Sequence, residues 1–249
     1  MLRAYGDGNL FGEPYGEGPV RVVWLHGWGR RSQDFHAAAG LLARDGVASV
    51  ALDLPGFGSS PPPLAPGGAR HYAALVVPAL SVIADGPLVL VGHSFGGRVA
   101  AVVAADHPAL VRSIVLTGVP LLHRAASVRT PLGYRALRRL HALGVIGERR
   151  LERARRRYGS GDYRAATGVM RDVLVAMVHE SYEDELGRLA CPVALVWGAN
   201  DREVPPDVAR RATSLLRAPH TLTVIDDVGH FVPTDAPSAL VDAVRQALA

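Results

Sequence analysis

Three residues spread along the chain have the types that together activate a hydroxyl: Ser94, Asp201 and His230. A serine is a weak nucleophile until an imidazole takes its proton. The imidazole in turn needs a carboxylate to hold its tautomer. Ser94 lies in Gly92-His93-Ser94-Phe95-Gly96-Gly97, a Gly-x-Ser-x-Gly pattern. An apolar run over residues 88–91 precedes it, and small and apolar residues over 98–105 follow it. That succession predicts a buried strand running into a buried helix. A turn so tight strains its central residue and needs small neighbours. Ser94 is therefore expected at the carboxyl edge of a sheet, above a helix N-terminus.

Asp201 and His230 each follow an apolar run, over 193–197 and 221–225. In open α/β sheets, ligands gather at the carboxyl ends of the strands. The other candidates at such ends are His26, Asp53, Asp226 and Asp227. Asp226 and Asp227 precede His230 on one loop and are the alternatives for the acid. Asp53 is expected to tie loops together. His93 is expected to be scaffold, because adjacent side chains in a sharp turn point apart. Cys191, the one cysteine, precedes Pro192 and an apolar strand, and is expected to be a buried structural thiol. A single cysteine excludes an intramolecular disulfide and a thiolate metal cluster. All 27 basic residues are arginine, which excludes a catalytic lysine or Schiff base.

These residues need a scaffold. The chain has 249 residues, 49% of them hydrophobic and 20% charged, which suits a folded chain with a large core rather than a disordered one. No apolar run reaches the roughly 18 residues that span a bilayer. Residues 1–18 carry no apolar segment of signal-peptide type, so a mature, cytoplasmic protein is expected. Core strands are expected over Val20–Leu25, 47–52, 88–91, 111–116, 193–197 and 221–225, with a short edge strand or hairpin within 1–19. Helices are expected over 32–44, capped by Ser32 or Asp34, over 72–84 with Pro78 as a kink or shifted start, over 207–216 and over Pro237–Leu248. Six strands alternating with helices predict a doubly wound, mostly parallel α/β sheet.

The alternation breaks at Leu121. Residues 121–170 hold 12 arginines against Glu148, Glu152 and Asp162, so this segment is built differently from its surroundings. Apolar stripes at helical spacing, Tyr134, Leu137, Leu140 and Leu143 and then residues 169–178, predict a helical cap over 121–187. The core is then 1–120 plus 188–249.

The chain resembles the serine-nucleophile α/β-hydrolases, in the form of the small bacterial hydrolases and esterases with a helical cap. The matching pieces are HGWG (26–29), DLPGFGSS (53–60), GHSFGG (92–97), WGANDREVP (197–205) and DVGHF (227–231), in the family's order. The resemblance implies Ser94 as nucleophile, His230 as base and Asp201 as acid. It implies an oxyanion hole from the backbone N–H groups of Trp28 and Phe95, and substrate-facing roles for His26, Arg98 and Phe231. His26, opening the oxyanion loop, is expected to order it by hydrogen bonding. No metal and no cofactor are expected. The implied activity is cleavage of a carboxylic ester through an acyl-enzyme. Gly96-Gly97-Arg98 also resembles the nucleophile turn of enzymes that form the cyclohexadiene intermediate of menaquinone synthesis. Proton abstraction, carbon–carbon bond hydrolysis and perhydrolysis by the same three residues therefore stay open, as does a non-enzymatic interaction role. The expected partner is a small acyl substrate. Nucleic acid and stable membrane insertion are not expected. The cap arginines leave an acidic carrier protein open and fit equally a solvated face.

Overall fold

The computed structural model describes residues 2–122, 132–158 and 161–249. Strands β1 (Arg3–Tyr5) and β2 (Leu10–Tyr15) open the chain, then β3 (Val20–Leu25), α1 (His36–Arg44), β4 (Ala48–Asp53) and α2 (Ala69–Ile83). Next come β5 (Leu88–His93), α3 (Phe95–Asp106) and β6 (Val111–Thr117). Five helices follow: α4 (Leu132–Ala142), α5 (Glu148–Tyr158), α6 (Gly161–Ala165), α7 (Gly168–Val178) and α8 (Glu183–Arg188). The chain closes with β7 (Val193–Gly198), α9 (Pro206–Thr213), β8 (His220–Ile225), α10 (Val232–Asp235) and α11 (Pro237–Leu248).

The eight strands form one sheet in the order β1-β2-β4-β3-β5-β6-β7-β8. From β3 to β8 every pairing is parallel. The N-terminal β1–β2 hairpin adds to the β4 edge in antiparallel register. The parallel strands read as unbroken apolar runs because both of their faces are buried. In β3, Val23 and Leu25 enter one core cluster while Val22 and Trp24 enter the other, and in β5 Leu88 and Leu90 oppose Val89 and Val91 in the same way. Helices α2, α3 and α9 cover the first face, and α1 and α11 the second.

Two helix starts differ from expectation for a tertiary reason. Residues Ser32–Phe35 form a 3-10 turn, and α1 begins only at His36. Neither expected cap is made. The backbone N–H of Ser32 donates to Asp53 Oδ1 at 2.7 Å, and Asp34 is held by Arg30 at 2.6 Å. Helix α2 starts at Ala69 and carries Pro78 within it. Its N-cap, Gly68, has no side chain, and the carboxylate of Glu180 accepts the Ala69 N–H at 2.8 Å instead.

Between β6 and β7 the described residues hold helices and no strand. This excursion leaves and returns at one neck, where the Tyr182 N–H donates to Leu121 O at 3.0 Å. Val173, Leu174 and Met177 of α7 and Leu186 of α8 join the core cluster on the α3 face, as the 169–178 stripe predicted. The stripe expected over 134–143 behaves differently. Leu140 and Leu143 are exposed, and the side chain of Tyr134 lies outside the described residues. No helix among the described residues is long and apolar enough to cross a membrane.

Candidate active site

Ser94 stands between the end of β5 and the start of α3, with φ 48° and ψ −108°. This is left-handed territory that a non-glycine residue occupies only when its surroundings impose it. Two hydrogen bonds impose it here. The Ser94 N–H donates to Thr117 O at 2.9 Å, and the Gly96 N–H donates to His26 O at 3.0 Å. A Cβ on Gly96 would land on the Leu25 carbonyl, so only glycine lets α3 approach the end of β3 this closely. The Phe95 N–H opens α3 and belongs to the first turn, whose donors have no intrahelical acceptor.

The 26–29 loop faces this turn. His26 is fully buried and uses both ring nitrogens: the Leu54 N–H donates to Nε2 at 2.9 Å, and Nδ1 donates to Gly27 O at 2.7 Å. An Nε2 that accepts must be bare, so the proton sits on Nδ1. Burial also lowers the pKa of His26 and keeps the ring neutral. No ring nitrogen is left for a ligand. His26 orders the loop that carries Trp28, and its expected contact with substrate gives way to that role. Asp53 ties loops together as expected: Oδ1 accepts from Ser32 N–H at 2.7 Å and Oδ2 from Ser59 N–H at 2.8 Å.

The loops after β7 and β8 bring Asp201 to His230. Nδ1 of His230 lies 2.8 Å from Asp201 Oδ2, and both residues are buried. The other oxygen, Oδ1, accepts the N–H groups of Glu203 at 2.9 Å and Val204 at 2.8 Å. A carboxylate so anchored can accept a proton carried on Nδ1, the tautomer in which a neutral imidazole offers Nε2 as an acceptor. Asp226 and Asp227 lie on the preceding loop, Asp227 with φ 60°. The carboxylate on Nδ1 is that of Asp201.

His93 packs on the other side of this pair. Its ring centroid is 4.8 Å from that of His230, and Nδ1 donates to Thr117 O at 3.2 Å. Burial first, and then the charge of a protonated His230, push its pKa down to about 3, so the ring is neutral. Its side chain buttresses the base, a contact that its place beside Ser94 in the sequence did not announce. Phe231, 37% exposed, lies at the rim with the Arg30 guanidinium 5.0 Å above its ring.

An aromatic wall flanks Ser94. The Trp28 ring lies 5.0 Å from Phe57 and 5.7 Å from Phe95, and Tyr72 lies 4.8 Å from Phe95. Met170 of α7 reaches over this wall, with its sulfur 3.8 Å from the Tyr72 hydroxyl and against Gly56. Phe57 sits within the DLPGFGSS stretch, so its motif signalled it. Met170 belongs to the apolar stripe expected over 169–178, but its partners Tyr72 and Gly56, about a hundred positions away, could not be read from that stripe.

Arg98 is buried, donates from Nη1 to Met177 O at 2.8 Å, and places its guanidinium 5.7 Å from the Tyr182 ring centre. A desolvated guanidinium needs such partners. They come from α7 and the segment after it, so Arg98 fastens α3 to the helical excursion. Cys191 is buried, and burial raises its pKa, which disfavours the thiolate.

A strained serine, a buried Asp–His pair and the first-turn N–H of a helix at a strand edge can together carry out acyl transfer. The fold is that of an α/β-hydrolase. A model of the alpha/beta hydrolase family matches residues 22–243, and the chain belongs to that family. Among its relatives, Lipase LipV of Mycobacterium tuberculosis is 28% identical over 263 residues, spanning 96% of this chain and 98% of that protein. The pimeloyl-[acyl-carrier protein] methyl ester esterase of Chromobacterium violaceum is 31% identical over 219 residues, spanning 81% of this chain and 84% of that protein. A thermophilic esterase from Thermogutta terrifontis, 19% identical, shares the fold with a TM-score of 0.72, covering 100% of this chain and 98% of that one.

Proposed function

We propose that the protein is a serine hydrolase that cleaves a carboxylic ester with an apolar acyl group. Ser94 Oγ attacks the carbonyl carbon while His230 Nε2 takes its proton. The negative charge that develops on the carbonyl oxygen is met by the N–H groups of Phe95 and Trp28. His230 returns the proton to the leaving alkoxide, and the alcohol departs from an acyl-serine. Water, deprotonated by His230, then releases the acid and restores Ser94. Asp201 holds the tautomer throughout and steadies the imidazolium.

The observation that carries this reading is the buried 2.8 Å pair of Asp201 and His230, whose imidazole packs 4.8 Å from the ring of His93, the residue before a serine held at positive φ. Esterase and lipase relatives support the class. The apolar acyl group follows from the wall of Trp28, Phe57 and Phe95, with Met170 above it. In this reading the helices between β6 and β7 form a cap over the site. The test is a panel of neutral esters, thioesters and amides, run on the parent and on Ser94→Ala, with a serine-directed phosphonate as label. Ester turnover and labelling at position 94 are expected in the parent and neither in the variant. Undiminished ester hydrolysis by Ser94→Ala refutes the reading.

A further inference from the structure

The acyl-transfer scheme uses none of the arginines of α4 and α5. These two helices pack against each other as a hairpin, and the turn between them is hydrogen-bonded throughout. The Leu143 N–H donates to Arg139 O at 3.0 Å, so Leu143 continues the register of α4. The Gly144 N–H donates to His141 O at 2.9 Å, and the Val145 N–H to Leu140 O at 2.8 Å. His141 Nδ1 donates to Ile146 O at 3.0 Å, and its Nε2 lies 3.1 Å from Glu148. Behind the turn, Ile146, Leu151 and Ala154 are buried. In front of it Leu143 is 76% exposed, Val145 65% and Leu140 38%. Three aliphatic side chains therefore stand in water on a turn whose backbone is held in place.

The charge around this tip is mainly positive. Residues 132–158 hold nine arginines against two acids, Glu148 and Glu152. Both acids are engaged: Glu148 with His141, and Glu152 with Arg171 at 3.1 Å and the Tyr163 hydroxyl at 2.9 Å. Arg135, Arg139 and Leu143 recur at intervals of four, so they share one side of α4, and all three are exposed. On α5, Arg149 and Arg153 are exposed one turn apart, away from buried Leu151 and Ala154. Like charges at that spacing disfavour a helix slightly, so both helices carry a repulsion that an anionic neighbour relieves. We propose that the α4–α5 tip docks on an anionic lipid bilayer. Leu140, Leu143 and Val145 enter between the head groups, and the arginines of both helices meet the phosphates. A bilayer fits these features together. Aliphatic side chains that project from a turn insert between head groups, whereas a folded acidic partner needs a matching pocket for them. Arginines spread over two helices suit a continuous plane of phosphates. The contact is peripheral and separate from the reaction at Ser94.

The experiment measures sedimentation of the full chain with sucrose-loaded vesicles. One set is phosphatidylglycerol and phosphatidylcholine in equal parts, the other phosphatidylcholine alone, each at low and at high NaCl. The parent should partition into the anionic vesicles at low salt, and raising the salt should weaken this by about tenfold or more. Arg149→Gln with Arg153→Gln should weaken it by about 30-fold, at about 1 kcal/mol per arginine. Leu143→Ser with Val145→Ser should weaken it by about 10- to 100-fold. Arg210→Gln with Arg211→Gln removes the same charge from the exposed side of α9 and should change partition by less than about twofold. Thermal melts show that each variant is folded, so the result does not depend on turnover at Ser94. No partition into anionic vesicles, or equal partition into both kinds, overturns the proposal. An α9 pair that weakens binding as much as the α5 pair also overturns it, because the surface is then not localised. Unchanged binding in the Leu143 and Val145 variant overturns it too, since nothing then enters the bilayer. Labelled poly-glutamate or duplex DNA is the competing probe. Binding to either without partition into vesicles assigns the face to an acidic protein or a nucleic acid instead.

Discussion

Replacing Asp201 by asparagine changes one atom of its side chain and should inactivate the site through a proton on the wrong nitrogen. Oδ1 of Asp201 accepts two backbone N–H groups, from Glu203 at 2.9 Å and Val204 at 2.8 Å, while Oδ2 faces His230 Nδ1. An asparagine must keep its carbonyl on those two donors. Its amide then points an N–H at Nδ1, which has to accept, and the ring proton moves to Nε2. In the proposed mechanism that is the atom that takes the proton of Ser94. Flipping the amide would restore the tautomer but leave two N–H groups, one buried and one half-buried, facing an NH2. Each such group costs about 1–3 kcal/mol, so the productive arrangement lies about 2–6 kcal/mol higher. At about 1.4 kcal/mol per decade, kcat/KM should fall by roughly 30- to 20,000-fold. Steady-state hydrolysis of a chromogenic ester measures it, with a thermal melt alongside to show that the variant is folded. A loss below tenfold in a folded variant refutes the tautomer reasoning and returns Asp226 or Asp227 to consideration as the acid.

Two further outcomes concern stability. His93 is buried and neutral with its pKa pushed down to about 3, against about 6.5 for an unfolded histidine. Between those values the unfolded chain binds the extra proton, so the fold loses stability as pH falls from about 6.5 toward 3. His93→Gln should flatten that part of the curve of melting temperature against pH, and an unchanged slope would show that His93 is not responsible. Glu180→Ala removes the carboxylate that caps α2 through the Ala69 N–H and accepts the Tyr182 hydroxyl at 2.7 Å. Loss of such a cap costs about 1–2 kcal/mol, or about 2–8 °C in Tm at this chain size, measurable by calorimetry. A melting point unchanged within 1 °C, about half the smallest expected shift, would show that the cap is dispensable.

The parallel strands were legible because burial on both faces writes them as continuous apolar runs, and β3 and α11 match their expected bounds. The N-terminal hairpin was visible only as a short edge element, since its residues are half-exposed and rich in turn formers. The start of α2 was misplaced because its cap, Glu180, arrives from 111 positions away. His26 and Arg98 show the same limit at the site. Both have side chains that can bind a ligand, and both meet partners that their neighbours in the sequence do not announce, Leu54 for His26 and Met177 for Arg98. Glu203 stands in the WGANDREVP stretch, and nothing in its neighbours tells that its carboxylate lies 3.6 Å from His230 Nε2.

The sequence by itself determined the order Ser94, Asp201, His230, the strand before each, and the glycine-bounded turn that lifts the serine to a sheet edge. Those features are local: they depend on side-chain periodicity and backbone freedom within a dozen residues. Only the tertiary structure decided which oxygen of Asp201 meets His230, that His93 is its neutral buttress, that Met170 covers the aromatic wall, and that a second carboxylate lies near Nε2. Hydrogen-bond partners and desolvation arise between segments far apart in the chain. They exist only once burial has removed water as the competing partner.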